Sequence, residues 1–246
     1  TIMLNNKIIL ITDALHFLGK TGCRVMLGEG ATVYAQDEAF SDAAARDAFE
    51  TEIPGTKALA EQDPTELVEK VIAAEGRIDV MINNDAYPAI KSAIDEADIE
   101  EFRRTLEALM VRGFHFAKAA ARHMKAAGRG KILFISSAAP KNGIPNYSMY
   151  VAARGGANAL AQTLAKELGR HNIQVNALAP NFVESPDYFP KELLENEAAF
   201  KKITSQIPLR RLGTQEEAGD YLLFLASDKS NYITGQVLYF AGGWAI

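Results

Sequence analysis

The chain has 246 residues, 48% apolar and 23% charged, which excludes disorder and collagen-like structure and allows one sizeable α/β core. Its 26 Lys and Arg against 31 Asp and Glu give a net charge of −5, which argues against a nucleic-acid or anionic-membrane surface. One cysteine, Cys23, allows no intrachain disulfide, and no apolar run approaches the ~20 residues of a membrane span, so a cytoplasmic protein is expected.

The elements alternate along the chain. Lys7–Thr12 is a β-branched apolar run, as a strand buried on both faces requires. A helix is predicted over Gly19–Gly28, with Cys23 on its packed face, then a strand over Ala31–Gln36. Ser41 is read as the cap of a polar helix reaching Glu52. A weak strand at 56–60 precedes a helix opened by Pro64 in its first turn. Arg77–Asn83 reads as a strand, Ile99–Ala127 as a long helix, and Lys131–Ser136 as a strand. A helix over Ser148–Gly169 leads to a strand at Ile173–Leu178, then a loop with short helices over 180–212. Thr214 caps the last helix, and Gln236–Phe240 is the last strand. About seven strands alternating with helices predict a Rossmann-like, doubly wound parallel sheet with helices on both faces, as a single domain over 1–246.

Several landmarks stand in order: Asn83-Asn84-Asp85-Ala86 after the fourth strand, Ser137 after the fifth, Tyr150, Asn176-Ala177-Leu178-Ala179-Pro180, Thr234-Gly235-Gln236 and Ala241-Gly242-Gly243. With them the whole chain resembles the short-chain dehydrogenase/reductase family. The departures carry more information. That family has a glycine-rich turn after the first strand, where the bare backbone approaches a pyrophosphate. Here the turn reads Thr12-Asp13-Ala14-Leu15-His16-Phe17-Leu18-Gly19, and only the last glycine remains. Asp13 brings negative charge and Phe17 a bulky ring, so no dinucleotide cofactor is expected. The family's Tyr-x3-Lys pair is Tyr150 and Arg154, the helix asparagine falls at Met110, and Asp85 replaces an alanine. These departures match halohydrin dehalogenases, whose motifs Thr-x4-Phe-x-Gly and Ser-x12-Tyr-x3-Arg are met by Thr12, Phe17 and Gly19 and by Ser137, Tyr150 and Arg154. That resemblance implies a cofactor-free enzyme that converts vicinal haloalcohols to epoxides and halide. It also implies the reverse opening by small anions (halide, azide, cyanide, nitrite).

The residue types suit that chemistry. Epoxide closure needs a base for the substrate hydroxyl, and tyrosine, with a reference pKa of about 10, needs a nearby cation to serve. Arg154 is a permanent one, on the same helix face as Tyr150. Ser137 would hold the substrate oxygen, and Asp85 would pair with Arg154. The resemblance puts the halide in the loop after the sixth strand. There the backbone amides of Phe182 and Val183 are expected to solvate it. Phe17, Pro180, Asn181, Tyr188 and Phe189 would enclose it, and Tyr87, Ile144 and Tyr147 would shape the substrate pocket. His16, His115, His123 and His171 lack the spacing of metal ligands, so no metal is expected. The resemblance further implies a homotetramer; Trp244, near the chain end, could reach a neighbouring subunit. Two other readings stay open: an NAD(P)-dependent oxidoreductase with a degraded turn, and a non-catalytic ligand sensor.

Overall fold

The computed structural model describes residues 2–246. Seven parallel strands form one sheet: β1 (Ile8–Ile11), β2 (Thr32–Gln36), β3 (Thr56–Leu59), β4 (Val80–Asn83), β5 (Gly130–Ile135), β6 (Ile173–Pro180) and β7 (Val237–Phe240). Their spatial order is β3-β2-β1-β4-β5-β6-β7, the expected doubly wound α/β arrangement. Successive side chains serve opposite faces. Ile9 and Ile11 join one core with Val33, Val80 and Leu133, beneath α1 (Gly19–Gly28) and the helix over Gln215–Ala226. Ile8 and Leu10 join the other with Met81, Ile132 and Phe134, beneath α3 (Pro64–Glu75), α5 (Arg112–Ala127) and α7 (Ser148–Leu168). Each such side chain, fully buried, contributes roughly 1.5–3 kcal/mol. Both faces being covered explains why the strands read as continuous apolar runs.

Two local readings change. The expected helix over 99–127 is α4 (Ile99–Leu106) and α5, joined by one π-helical turn at Glu107–Val111. Ser41 does not cap the second helix. Asp37 first caps a 3₁₀ turn over Glu38–Ser41, and Asp42 then caps α2 (Ala43–Glu52) by accepting from the Ala44 amide. Pro64 does open α3, behind Asp63, which accepts from the Thr65 and Glu66 amides. Among the described residues no helix is long and apolar enough to cross a membrane.

Between β1 and β4 the strand order reverses, and the loops that leave the carboxyl ends of these strands diverge into a crevice. The turn after β1, the segment after β4, the short α6 (Ala139–Asn142) after β5 and the loop after β6 all border it.

Candidate active site

Tyr150 and Arg154 lie one turn apart on α7, which Ser136 ties to β5 by donating its hydroxyl to the Arg154 carbonyl at 3.1 Å. Arg154 is 2% exposed. Its Nη1 donates to the Ile135 carbonyl and its Nη2 to the Asp85 carbonyl, both at 2.9 Å. The guanidinium thus bridges β5 and the segment after β4, and its carbon sits 5.3 Å from the centre of the Tyr150 ring. Burial works against its charge, but the Tyr150 and Tyr188 hydroxyls outweigh it and hold the group above its usual range. It is a permanent cation. Tyr188 Oη stands 3.4 Å from Nη2. Burial, with Tyr150 beside it, drives the Tyr188 phenol well above the ordinary range despite Arg154, so Tyr188 stays protonated. Ser137 is 3% exposed, and its Oγ accepts from the Ala139 amide at 3.0 Å, which leaves its proton free to be donated.

Asp85 corrects an expectation. Arg154 bonds the Asp85 backbone carbonyl, and the carboxylate makes no ion pair with it. The carboxyl points instead toward α5, where a Cβ on Gly113 would fall 2.5 Å from Oδ2; Oδ1 is buried without a hydrogen-bond partner. Burial first, and then the negative charge of Asp13, push this carboxyl up to about 7, against the pull of Arg112 and Arg154.

Ser137, Tyr150 and Arg154 face one cavity of about 580 Å³. Phe17, Pro180, Asn181, Phe182, Val183, Tyr188 and Phe189 line it as expected, and so do Ile144 and Tyr147. Tyr87 does not. Its hydroxyl is held by Glu101 on α4 at 2.7 Å, which turns it to a smaller neighbouring cavity. The sequence reading missed Pro88, Asp187 and Gln206 and considered Trp244 only for a neighbouring subunit; all four are on the wall. Trp244 lines the pocket of its own chain. Gly242 and Gly243, at φ of 58° and 88°, turn the chain back behind β7, and Asn142 donates to the Trp244 carbonyl at 2.8 Å. The indole meets the Phe182 ring edge-on at 5.4 Å. No sequence spacing signals this, because it depends on where β7 ends beside α6.

The anion donors differ from expectation as well. The Phe182 amide is already given to Asn181 Oδ1 at 3.1 Å. That bond leaves Asn181 Nδ2 as a buried donor without a partner on the pocket wall. Phe182 has a φ of 57°, a left-handed conformation that redirects the amide following it.

The turn after β1 keeps glycine-like backbone without glycine: φ is 44° at Asp13 and 38° at Phe17. Four successive amides of the turn are engaged. Ala14 donates to the Gln36 carbonyl, Leu15 to Asp37 Oδ2 at 3.0 Å, His16 to the Asp13 carbonyl, and Phe17 to Asp187 Oδ2 at 2.6 Å. Asp37, at the end of β2, stands where a ribose-binding acid is found in this topology, and it too is engaged. Asp13 is not the bare repulsive charge expected. Its Oδ1 meets Arg112 Nη1 at 2.6 Å, its Oδ2 accepts from the Ala86 amide, and Arg112 Nη2 also holds Gln36 at 2.6 Å. The Phe17 ring stands edge-on to Tyr188 at 5.4 Å. These residues do not fit a dinucleotide: the Ala14, Leu15, His16 and Phe17 amides are engaged within the protein, and the Phe17 and Tyr188 rings stand in its path.

The sequence profile of the enoyl-(acyl carrier protein) reductase family matches residues 18–245. A solved dehalogenation enzyme superposes with a TM-score of 0.96 at 47% identity, covering 99% of this chain and 100% of that one. A halohydrin dehalogenase bound to ethyl (2S)-oxiran-2-ylacetate superposes with a TM-score of 0.93 at 38% identity, covering 98% of each chain. A 3-oxoacyl-(acyl-carrier-protein) reductase of Thermotoga maritima is 33% identical over 99% of each chain.

Proposed function

The chain belongs to the short-chain dehydrogenase/reductase family, and from that premise we propose that it is a cofactor-independent halohydrin dehalogenase. One observation carries the reading. Ser137, Tyr150 and the buried Arg154 face a pocket whose far end, where a dinucleotide would enter, is walled by Phe17 and Tyr188.

Substrate binds with its hydroxyl between Ser137 and Tyr150. Ser137 donates to the substrate oxygen and orients it. Arg154 supplies the fixed positive charge that lets the Tyr150 phenolate accept the hydroxyl proton. The resulting alkoxide attacks the adjacent carbon. The new C–O bond forms as the C–halogen bond breaks, and its electron pair leaves with the halide. The halide is received at the Asn181–Val183 corner, where Asn181 Nδ2 is the unpartnered donor and the Phe182, Phe189 and Trp244 rings exclude water. In reverse, a small anion held there opens an epoxide, and Tyr150 returns the proton.

The working protein is proposed to be a homotetramer, its π-turn and α5 offering the exposed Val111 and Phe114 to a second copy. Halide release from 1,3-dichloro-2-propanol tests the activity. It is expected from the wild type and lost in Tyr150→Phe. Titration with NADH and NADPH should leave nicotinamide fluorescence unchanged. A saturable change, or full activity in Tyr150→Phe, would overturn the reading.

A further inference from the structure

Two neighbouring residues of the loop after β6 grip two neighbouring residues of the turn after β1. Asp187 accepts from the Phe17 amide at 2.6 Å through one carboxylate oxygen, and its other oxygen stands 3.3 Å from His16 Nδ1. Tyr188 stands edge-on to the Phe17 ring at 5.4 Å. Ser185 shapes the gripping loop: its Oγ accepts from the Asp187 amide at 3.2 Å, and its carbonyl accepts from Tyr188 and Phe189. The carboxylate–amide bond is short and charge-assisted, and it holds Phe17 in its left-handed conformation at φ 38°.

This grip stands between two cavities. On one side is the pocket of about 580 Å³ that holds Ser137, Tyr150 and Arg154. On the other is a cavity of about 150 Å³ bordered by His16, Ala86 and Tyr87. Both are lined by Pro88, Asp187 and Tyr188, so these residues form the partition. The second cavity runs past the turn whose amides a dinucleotide would otherwise claim.

We propose that Asp187 is a latch between the anion pocket and this second cavity, and that its release opens a passage through which halide leaves and other small anions enter. Asp187 stands on the pocket wall, and its carboxylate is turned to the Phe17 amide and His16. It is a positioning residue that acts through Phe17 and Tyr188. The inference rests on the dehalogenase reading above, which supplies the anion. Because the latch acts on the path and not on the binding corner, it changes how fast an anion exchanges and leaves its affinity alone.

Trp244 provides the measurement. It is the only tryptophan in the chain and packs against Phe182 on the pocket wall, so bromide entry should quench its fluorescence. Stopped-flow mixing of the full chain with bromide yields both rate constants. In Asp187→Ala, association and dissociation should both rise about tenfold, the low end of what loss of a charge-assisted hydrogen bond produces, with Kd within about threefold of wild type. Asp187→Asn keeps an acceptor for the Phe17 amide and should restore most of the slow exchange. His16→Ala, which removes only the second contact, should give intermediate rates. If Asp187→Ala shows no cooperative melt, the Asn and His16 variants decide on their own. Wild-type rates in all folded variants would overturn the latch, as would a rise in dissociation alone with a matching rise in Kd. Absence of saturable quenching in the wild type would remove the anion pocket, and the latch with it.

Discussion

Arg154 Nη2 donates to the backbone carbonyl of Asp85 at 2.9 Å while the Asp85 carboxyl turns away, its Oδ1 buried and without a partner. The arginine is thus positioned by two main-chain oxygens, those of Ile135 and Asp85, which cannot titrate. Neither of these acceptors changes charge with pH, whereas the Asp85 carboxyl does.

That carboxyl supplies the first prediction. Its pKa is pushed up to about 7, from an ordinary value of about 3.9. Between these values the folded chain binds more protons than the unfolded one, so stability is lost as pH rises through the window. The melting temperature should fall between pH 5 and pH 8. In Asp85→Asn the fall should be smaller, because the amide never becomes a buried anion. Thermal unfolding of both chains at the two pH values checks this.

Replacing Arg154 by Lys should cost about 10²-fold or more in halide release, although the charge is kept. A lysine head group cannot reach the Ile135 and Asp85 carbonyls with the fixed fork of a guanidinium, so the cation beside Tyr150 loses its position. Steady-state halide release from Arg154→Lys, at matched folded fraction, is the check.

The ion pair of Arg112 with Asp13 leads to a stability prediction. Asp13 is 5% exposed, and Arg112 supplies both its counter-charge and the hold on Gln36. Arg112→Met should destabilise the chain by about 2–4 kcal/mol, since it leaves a buried carboxylate unpaired. Adding Asp13→Asn should recover part of the loss, as the stranded charge is gone. Chemical denaturation of the single and double variants measures both steps.

Lys131 is buried at the opposite end of the sheet, with Nζ donating to Ser230 Oγ at 3.0 Å. Burial lowers its pKa most, Asp228 opposes and Lys7 adds to the lowering, and the result is about 8. The unfolded chain therefore binds more protons between pH 8 and about 10.4, and wild-type stability should rise with pH across that window. Lys131→Met should melt a few degrees higher at pH 7, on the order of 2–6 °C, and the gain should shrink toward pH 10. Calorimetry at both pH values tests it.

Much of the fold was legible because each strand is buried on both faces and so reads as a short apolar run between helix caps. Most of the candidate site was legible for a different reason. Tyr150 and Arg154 are local on one helix, and Phe17 stands where a family pattern has bare backbone. Tyr87 was misread because the segment after β4 has no regular structure and its hydroxyl bonds Glu101 on the next helix. Arg112 went unread because a charge in the middle of a long helix looks like solvated surface until the turn after β1 is laid against it.

The order of strands and helices was readable from periodicity, a property of neighbours in the chain. The missing glycines and the Ser137, Tyr150 and Arg154 set were readable through their resemblance to family motifs, which are also local in the chain. What replaced the glycine turn could be seen in the folded chain alone. Arg112, 99 residues from Asp13, neutralises it, and Asp187, 170 residues from Phe17, takes its amide. Trp244 closes the pocket from the far end of the same chain. Pairings of that sequence separation leave no periodic trace, because a hydrogen bond depends on distance in space and the crevice at the sheet's switch point brings those distances together.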